Sequence, residues 1–185
     1  MLSDADDDAC KGLDSTTAQE RRAAREARAK IPKETFRLET DPEYVRYHPF
    51  GKPAPVASIS GSMRMLSFAP AGKWPPAAYI GLRSGSALND FVQVFAARFD
   101  PEDELLFVGF RMAVGGKETR GESIENVALD KSVEVSIEFR AGVATIRIND
   151  GQPIVLETPF AEVVPYVGVS SGRAEFLVDS PRGAP

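Results

Sequence analysis

Residues 132–178 decide the fold, and they read SVEVSIEFRAGVATIRINDGQPIVLETPFAEVVPYVGVSSGRAEFLV. Apolar residues alternate with polar ones over 133–140, which is the period of a strand with one buried face. The same alternation returns at 144–149 and is followed by a short apolar run at 154–156. Asp150-Gly151 is typical of a two-residue type I′ turn, and Pro153 indicates a strand start or a sheet edge. The stretch therefore predicts consecutive antiparallel strands joined by tight turns.

Strand patterns also precede this stretch, at 78–82, 91–99 and 106–114. The segment 91–99 is apolar at both parities, which predicts a central strand covered on both faces. Breaks rich in Gly, Asn, Asp and Pro separate the strands, and no helical period of useful length follows residue 31. Many strands without helices predict an all-β sandwich or barrel.

The first 30 residues differ in kind from the rest. An acidic segment is followed by an Ala/Arg-rich one, in which Thr17 and Glu20 have the spacing of a capping box before a helix ending near Pro32. We expect residues 1–30 to be a leader, flexible or helical, and residues 31–185 to be a single β-sandwich domain. A solvated helix is favoured over a partner-binding helix because the segment has no apolar stripe wider than its alanines; a cleavable pre-sequence also stays open.

Composition removes several classes of function. The chain has 185 residues, a net charge of -5 and a pI of about 5.1, which argues against nucleic-acid binding because that needs a basic surface. No apolar run approaches the roughly 18 residues of a membrane-spanning helix, and the acidic start does not resemble a signal peptide. We therefore expect a soluble protein. The single cysteine, Cys10, excludes an internal disulfide and leaves the compartment open.

A family resemblance is carried by the segments SVEVSIEFRAGVATIRINDGQPIV and PYVGVSSGRAEF. They resemble the hairpin region of the concanavalin A-like lectin and glucanase superfamily, which includes legume lectins, laminin G-like modules, pentraxins and several glycosidases. The shared elements are a strand, a Gly-containing turn, a strand ending in Asn/Asp-Gly, and a late strand with a Val-Gly-Val-Ser core. The resemblance implies a jelly roll of two antiparallel sheets, one concave, which often binds sugars there or at rim loops. It transfers no activity.

Catalysis is disfavoured by the residues themselves. Glu134 and Glu138 mimic the Glu-x-Asp-x-Glu motif of retaining glycosidases in this superfamily, whose two carboxyl groups lie about 5–5.5 Å apart. Ser136 replaces the central Asp, so a solvated strand face is favoured. His48 is the sole histidine, which excludes a metal site of several imidazoles and leaves a Ser-His-acid triad dependent on this residue. We expect no enzymatic activity.

No cofactor is assigned from the sequence. The acidic loops at 100–104 and 149–150 offer oxygen ligands to calcium, and a solvated turn is the favoured alternative for the first of them. Calcium therefore stays open as a ligand.

Binding is the remaining class of function, and a sugar site combines an aromatic platform with planar polar groups. If the small and aliphatic residues of 78–82 face the core, Tyr79 and Arg83 project from the opposite side, where Arg111, Glu134 and Glu138 could join them. Trp74, in a Pro-rich loop, is either a rim platform or a buried anchor. Asn89 and Asp90 form either a turn or a polar clamp.

These eight residues are the candidate ligand-binding set: Trp74, Tyr79, Arg83, Asn89, Asp90, Arg111, Glu134 and Glu138. The sequence predicts a non-catalytic, lectin-like carbohydrate-binding module with weak affinity for a glycan. The competing hypothesis is a protein–protein interaction or structural module; a glycoside hydrolase or lyase ranks below both.

Overall fold

The computed structural model describes residues 32–70, 72–87 and 89–179. The predicted leader and its helix lie outside these residues. All regular structure in the described part is strand: β1 (Lys33–Pro49), β2 (Val56–Phe68), β3 (Ala77–Ser84), β4 (Phe91–Ala97), β5 (Leu105–Val114), β6 (Lys117–Ala128), β7 (Val133–Arg140), β8 (Val143–Ile148), β9 (Ile154–Glu157) and β10 (Val163–Asp179). None of the described residues forms a helix that could cross a bilayer.

The ten strands form one continuous antiparallel sheet that curls into two layers, here called sheet 1 and sheet 2. The layers are continuous because β1 and β10, each 17 residues long, run through both. The first half of β10 pairs with β3 and with the end of β1, whereas its second half pairs with β2 and with the beginning of β1. Sheet 1 therefore has the order β6-β5-β4-β3-β10-β1, and sheet 2 the order β9-β8-β7-β2-β10-β1. The result is a two-sheet jelly roll, as the sequence predicted.

The change of sheet takes place at Ser171 and Gly172. In β10, Ser171 has φ 45° and Gly172 has φ 154°. At the same level β1 has a register shift between Thr40 and Val45, where Glu43 has φ 73°. Positive φ is unfavourable for residues with a Cβ and persists only where the surrounding contacts hold it. The Ser171 hydroxyl supplies such a contact by accepting the Glu43 N–H at 3.2 Å. Both long strands thus bend at the same point.

The main core lies between the sheets. Its members alternate along the strands with outward-facing residues, and they include Ile80, Val94 and Phe110 from sheet 1 and Met63, Ile137, Ile146 and Phe176 from sheet 2. Strand β4 is central in sheet 1, as its apolar run predicted, but its outer face is only partly covered: Phe91 and Phe95 are half-buried, and Phe99 lies beyond the strand and is 56% exposed. Strand β9 starts directly after Pro153 and is an edge strand, again as predicted.

The prediction of a type I′ turn at Asp150-Gly151 is wrong, because neither residue has the positive φ that such a turn requires. Positive φ values fall instead on Ala141 and Gly142, which connect β7 to β8, and on Asn149 alone in the next loop. Asn149 tolerates the left-handed conformation, and its side-chain oxygen accepts the Glu134 N–H at 2.9 Å. These contacts hold Asn149 in place, and pairing resumes only at Ile154, after Pro153.

Glu175 lies on the outer face of sheet 2 and bridges Arg37 of β1 and Arg64 of β2 at 2.8 and 3.1 Å. The hydrogen bond from Arg37, then the charges of Arg37 and Arg64, lower the pKa of this carboxyl below its ordinary value. A lowered folded-state pKa stabilises the protein above the ordinary glutamate pKa of about 4.3, and the stabilisation disappears as the pH falls through the folded-state value.

We therefore expect Glu175→Gln to be slightly less stable than the wild type at neutral pH and the difference to shrink in acid. The free energy of unfolding of both proteins, measured by urea titration across this pH range, checks the prediction. A difference that stays constant with pH would contradict it.

Candidate functional site

The outer face of sheet 1 carries an aromatic cluster that sequence reasoning identified only through Tyr79. Tyr47 of β1, Tyr166 of β10 and Tyr79 of β3 lie side by side, and we call them the tyrosine cluster. The ring centroids of Tyr47 and Tyr166 are 5.3 Å apart in an edge-to-face arrangement, and those of Tyr47 and Tyr79 are 6.4 Å apart. Because aromatic pairs at these separations attract one another, the cluster forms a small second core outside the sandwich.

Two glycines allow the rings of Tyr47 and Tyr166 to pack closely against the backbone of the sheet. Tyr47 is the cross-strand partner of Gly168, and Tyr166 is the partner of Gly81. A Cβ on Gly168 would be 2.5 Å from Cδ1 of Tyr47, and one on Gly81 would be 2.9 Å from Cζ of Tyr166. Each ring therefore occupies the space that a side chain would fill if the facing glycine were replaced by any other residue.

Exposure separates the members of the tyrosine cluster. Tyr47 is 46% exposed, whereas Tyr79 and Tyr166 are 4% and 3% exposed. Tyr79 and Arg83 do project from the side of β3 opposite the core, as predicted. Tyr47, however, is the ring that a ligand can reach. Val45 and Tyr47 alternate with polar residues in β1, and this alternation could have identified Tyr47. The sequence analysis did not recognise β1 as a strand and therefore missed it.

A buried amide joins the cluster to a guanidinium. Gln93 of β4 is fully buried, and the amide orientation that satisfies both neighbours lets its oxygen accept from Nε and Nη2 of Arg111, at 2.6 and 2.8 Å. Its NH₂ group then donates to the hydroxyl of Tyr166. Arg111 also lies over the rings of Tyr79 and Phe91, with its guanidinium carbon 5.6 and 5.4 Å from their centroids. Two rings and one amide thus hold this cation in place.

We expect Gln93→Leu to destabilise the protein by about 1–3 kcal/mol, because it leaves the donors of Arg111 and the hydroxyl of Tyr166 without their partner in a buried setting. Urea unfolding of the variant beside Gln152→Leu, an exposed glutamine in the β8–β9 loop, measures the difference. Equal stability of the two variants would show that the amide network contributes nothing.

The three hydroxyls of the cluster keep their protons at neutral pH. Burial raises the pKa of Tyr47 and Tyr79, and it raises the pKa of Tyr166 well above its ordinary value. Ser170 donates its single proton to the carbonyl of Pro75 at 2.6 Å, so the Tyr79 hydroxyl donates to Ser170 Oγ at 2.8 Å. The cluster therefore carries no negative charge at neutral pH.

The loop that contains Trp74 lies at the rim of this face. Ser171 donates to the carbonyl of Trp74 at 2.7 Å, and Ser170 holds Pro75, so the bend of β10 fixes the loop. The side chain of Trp74 is not a buried anchor, since the residue is 39% exposed, and the ammonium of Lys73 lies 5.5 Å from its ring centroid. Trp74 and Tyr79, both predicted from the sequence, are therefore connected through Ser170 and the loop.

The other predicted residues divide between the two sheets. Arg83 lies on the outer face of sheet 1, opposite Phe91 of β4. Asp90, in the turn before β4, accepts the Gly116 N–H at 3.1 Å and so ties that turn to the β5–β6 hairpin, and Asn89 beside it is exposed. Glu134 and Glu138 lie on β7 in sheet 2, so the structure does not bring them to the face that carries Arg83 and Arg111.

The acidic loop after β4 is organised by its own side chains. Asp103 accepts the Asp100 N–H at 2.9 Å, Asp100 accepts the Glu102 N–H at 2.9 Å, and Arg98 donates to the carbonyl of Asp103 at 2.9 Å. Within the described residues, no group of three or more His, Cys, Asp or Glu side chains is arranged to hold a metal ion.

An apolar depression lies beside this loop at one end of sheet 1. It has a volume of about 220 Å³, and its lining includes Phe68, Pro70, Arg98, Phe99 and Pro101. Phe99 is 56% exposed and continues a row of rings, 6.3 Å from Phe95 and 5.5 Å from Phe107 between centroids. Apolar side chains therefore extend the aromatic surface across sheet 1.

Comparison with solved structures identifies the fold. Carbohydrate-binding module CBM66 from Bacillus subtilis is similar with a TM-score of 0.53 and 12% identity, over 82% of this chain and 90% of that one. The fold is concanavalin A-like. A functionally unknown protein from Saccharomyces cerevisiae is similar with a TM-score of 0.56 and 12% identity, over 83% and 93% of the two chains. The family 7 alginate lyase A1-II′ gives 0.53 and 12%, over 80% and 78%.

No protein-family model and no curated protein matches the sequence. At these identities the structural similarity shows the fold and leaves the chemistry to be argued from the site itself.

Proposed function

We propose that this protein is a non-catalytic carbohydrate-binding module whose glycan lies on the outer face of sheet 1, against Tyr47. The observation that carries the proposal is the combination, on one open face, of an exposed ring with planar polar groups fixed beside it. Tyr47 is 46% exposed, and Arg111 is held next to the cluster by Gln93. Sugar rings present apolar CH faces edged by hydroxyl groups, which suit stacking on the ring and hydrogen bonding to the guanidinium.

The similarity to a carbohydrate-binding module agrees with this proposal at the level of the fold. Trp74 supplies a second exposed ring at the rim, and the Trp74 loop is tied to Tyr79 through Ser170. A short glycan crossing from Tyr47 toward this loop would contact aromatic surface at both places. Binding of this kind needs little rearrangement because hydrogen bonds already fix the parts.

The non-catalytic part of the proposal rests on the positions of the candidate catalytic residues. Retaining hydrolysis needs two carboxyl groups about 5–5.5 Å apart. Glu134 and Glu138 lie in the other sheet, and β7 pairs with both neighbours without a register shift, so its residues i and i+4 are about 13 Å apart between Cα atoms. The sole histidine, His48, packs against Phe36 and Phe50.

The first experiment is binding of residues 31–185 to a broad panel of glycans and polysaccharides, with and without calcium, while product release is read in the same wells. Retention of a glycan without turnover supports the proposal. Release of products would overturn its non-catalytic part, and failure to retain any glycan would overturn the function itself.

A protein–protein interaction module is the second candidate, and the depression beside Phe99 favours it. Exposed apolar rings next to a concave apolar surface are a common feature of protein interfaces. Phe99→Ser separates the two functions. It should leave glycan retention unchanged if the ligand lies on Tyr47, and it should abolish binding of a protein that docks in the depression.

A further inference from the structure

The outer face of sheet 1 carries two arginines without acidic partners. Within the described residues, no carboxylate lies within 4.0 Å of the guanidinium of Arg83 or Arg111, whereas the arginines Arg37 and Arg64 of the other sheet both pair with Glu175. Glu118 of β6 lies in the same cross-strand row as Arg83, and within the described residues no ion pair joins it to Arg83 or to Arg111.

Arg111 is held in place and still has hydrogen-bond donors that no group in the described part of the chain uses. Its Nε and Nη2 atoms donate to the buried oxygen of Gln93, and within the described residues Nη1 has no hydrogen-bond partner. The guanidinium lies over the rings of Tyr79 and Phe91. A guanidinium held in this way loses little side-chain entropy on binding and presents a planar set of donors that matches an oxyanion.

Arg83 lies on the same face, on the other side of Phe91. Phe91 is the cross-strand partner of Arg83 and also the ring beneath Arg111, so the two cations flank one aromatic side chain. From strand spacing and rise their Cα atoms are about 12 Å apart. Both guanidinium groups lie close enough to Tyr166 to lower its pKa in opposition to burial.

We infer that the glycan bound on this face is acidic, with its carboxylate or sulfate groups on Arg83 and Arg111 and a sugar ring on Tyr47. This inference rests on the proposed function and adds the class of glycan to it. Hydrogen bonds between guanidinium and oxyanion are stronger than those to neutral hydroxyl groups, and the protonated tyrosines carry no negative charge that would repel an anion. A neutral glycan would leave both cations without a counter-charge.

The test compares acidic oligosaccharides with neutral forms of the same backbone. Oligomers of galacturonate, mannuronate, guluronate and glucuronate are measured by calorimetry beside their methyl esters, and sulfated galactan beside desulfated galactan. We expect at least one acidic form to bind roughly tenfold or more tightly than its neutral counterpart, with affinity falling as salt is raised. The uronate and sulfate arms identify which anion is recognised.

Two variants locate the effect. Arg83→Gln should weaken binding of the acidic form roughly tenfold while binding of the neutral form changes little, and Arg147→Gln, which removes an exposed charge from β8 in sheet 2, should weaken neither. Equal binding of acidic and neutral forms, or equal losses in the two variants, would overturn the acidic-glycan inference and leave carbohydrate binding standing. Failure of every oligosaccharide to bind would overturn both.

Discussion

Replacing Phe176 by alanine is expected to lower the free energy of unfolding by about 3–5 kcal/mol, since truncating a fully buried phenylalanine removes its transfer energy and leaves a cavity. Phe176 is 0% exposed and lies on β10, with Phe36 of β1 and Met63 of β2 as its cross-strand partners. Because β10 belongs to both sheets, a cavity here weakens the element that joins them. For a domain of this size the loss corresponds to a fall in melting temperature of roughly 6–20 °C.

Phe99→Ala is the matched control for Phe176→Ala. Phe99 is 56% exposed, so its truncation should change the free energy of unfolding by no more than about 1 kcal/mol. Thermal and urea unfolding of the two variants, followed by circular dichroism, measure the difference. Similar losses in both would show that Phe176 is not the core residue that the register places between β1 and β2.

Tyr47→Ala is expected to weaken glycan retention at least about tenfold, because it removes the exposed ring on which the sugar would stack. The fold should persist, since Tyr47 is 46% exposed and its strand is an edge of sheet 1. Affinity electrophoresis on the glycan found in the panel, with a melting curve for each variant, provides the measurement.

Tyr44→Ala controls for the loss of a surface tyrosine from the same strand. Tyr44 is 67% exposed and lies in the irregular part of β1 between Thr40 and Val45. It should retain the glycan as the wild type does. Equal weakening by Tyr44→Ala, or full retention by Tyr47→Ala, would remove Tyr47 from the site.

The structure changes the meaning of a substitution that the sequence alone suggested. Truncating Tyr79 would look like the loss of a platform, but the residue is 4% exposed and its hydroxyl donates to Ser170. We expect Tyr79→Ala to act through stability and through release of Arg111, which lies over its ring. Trp74, at 39% exposure, remains the rim residue to test for direct contact.

Many of the strands were predictable because the local pattern of apolar and polar residues determines them. The period of two in β7 and β8 is the physical requirement of a strand with one dry face, and the two-sided apolar run of β4 is that of a central strand. Strands β1 and β6 were harder to recognise because they are edge elements of the sheets and mostly exposed. The candidate site was predictable in part, through Tyr79, Arg83 and Arg111, whose outward parity follows once the core parity is known.

By itself the sequence determined an all-β sandwich, the parity of β3, and the shortage of histidine and cysteine that limits its chemistry. Only the tertiary structure decided which outward residues share a face. The bend of β1 and β10 sets Tyr47 against Gly168 and Tyr166 against Gly81, pairings between residues far apart in the chain. It also separates Glu134 from Arg111 into different sheets. Parity is a local property of the backbone, whereas sheet order depends on packing of the whole core.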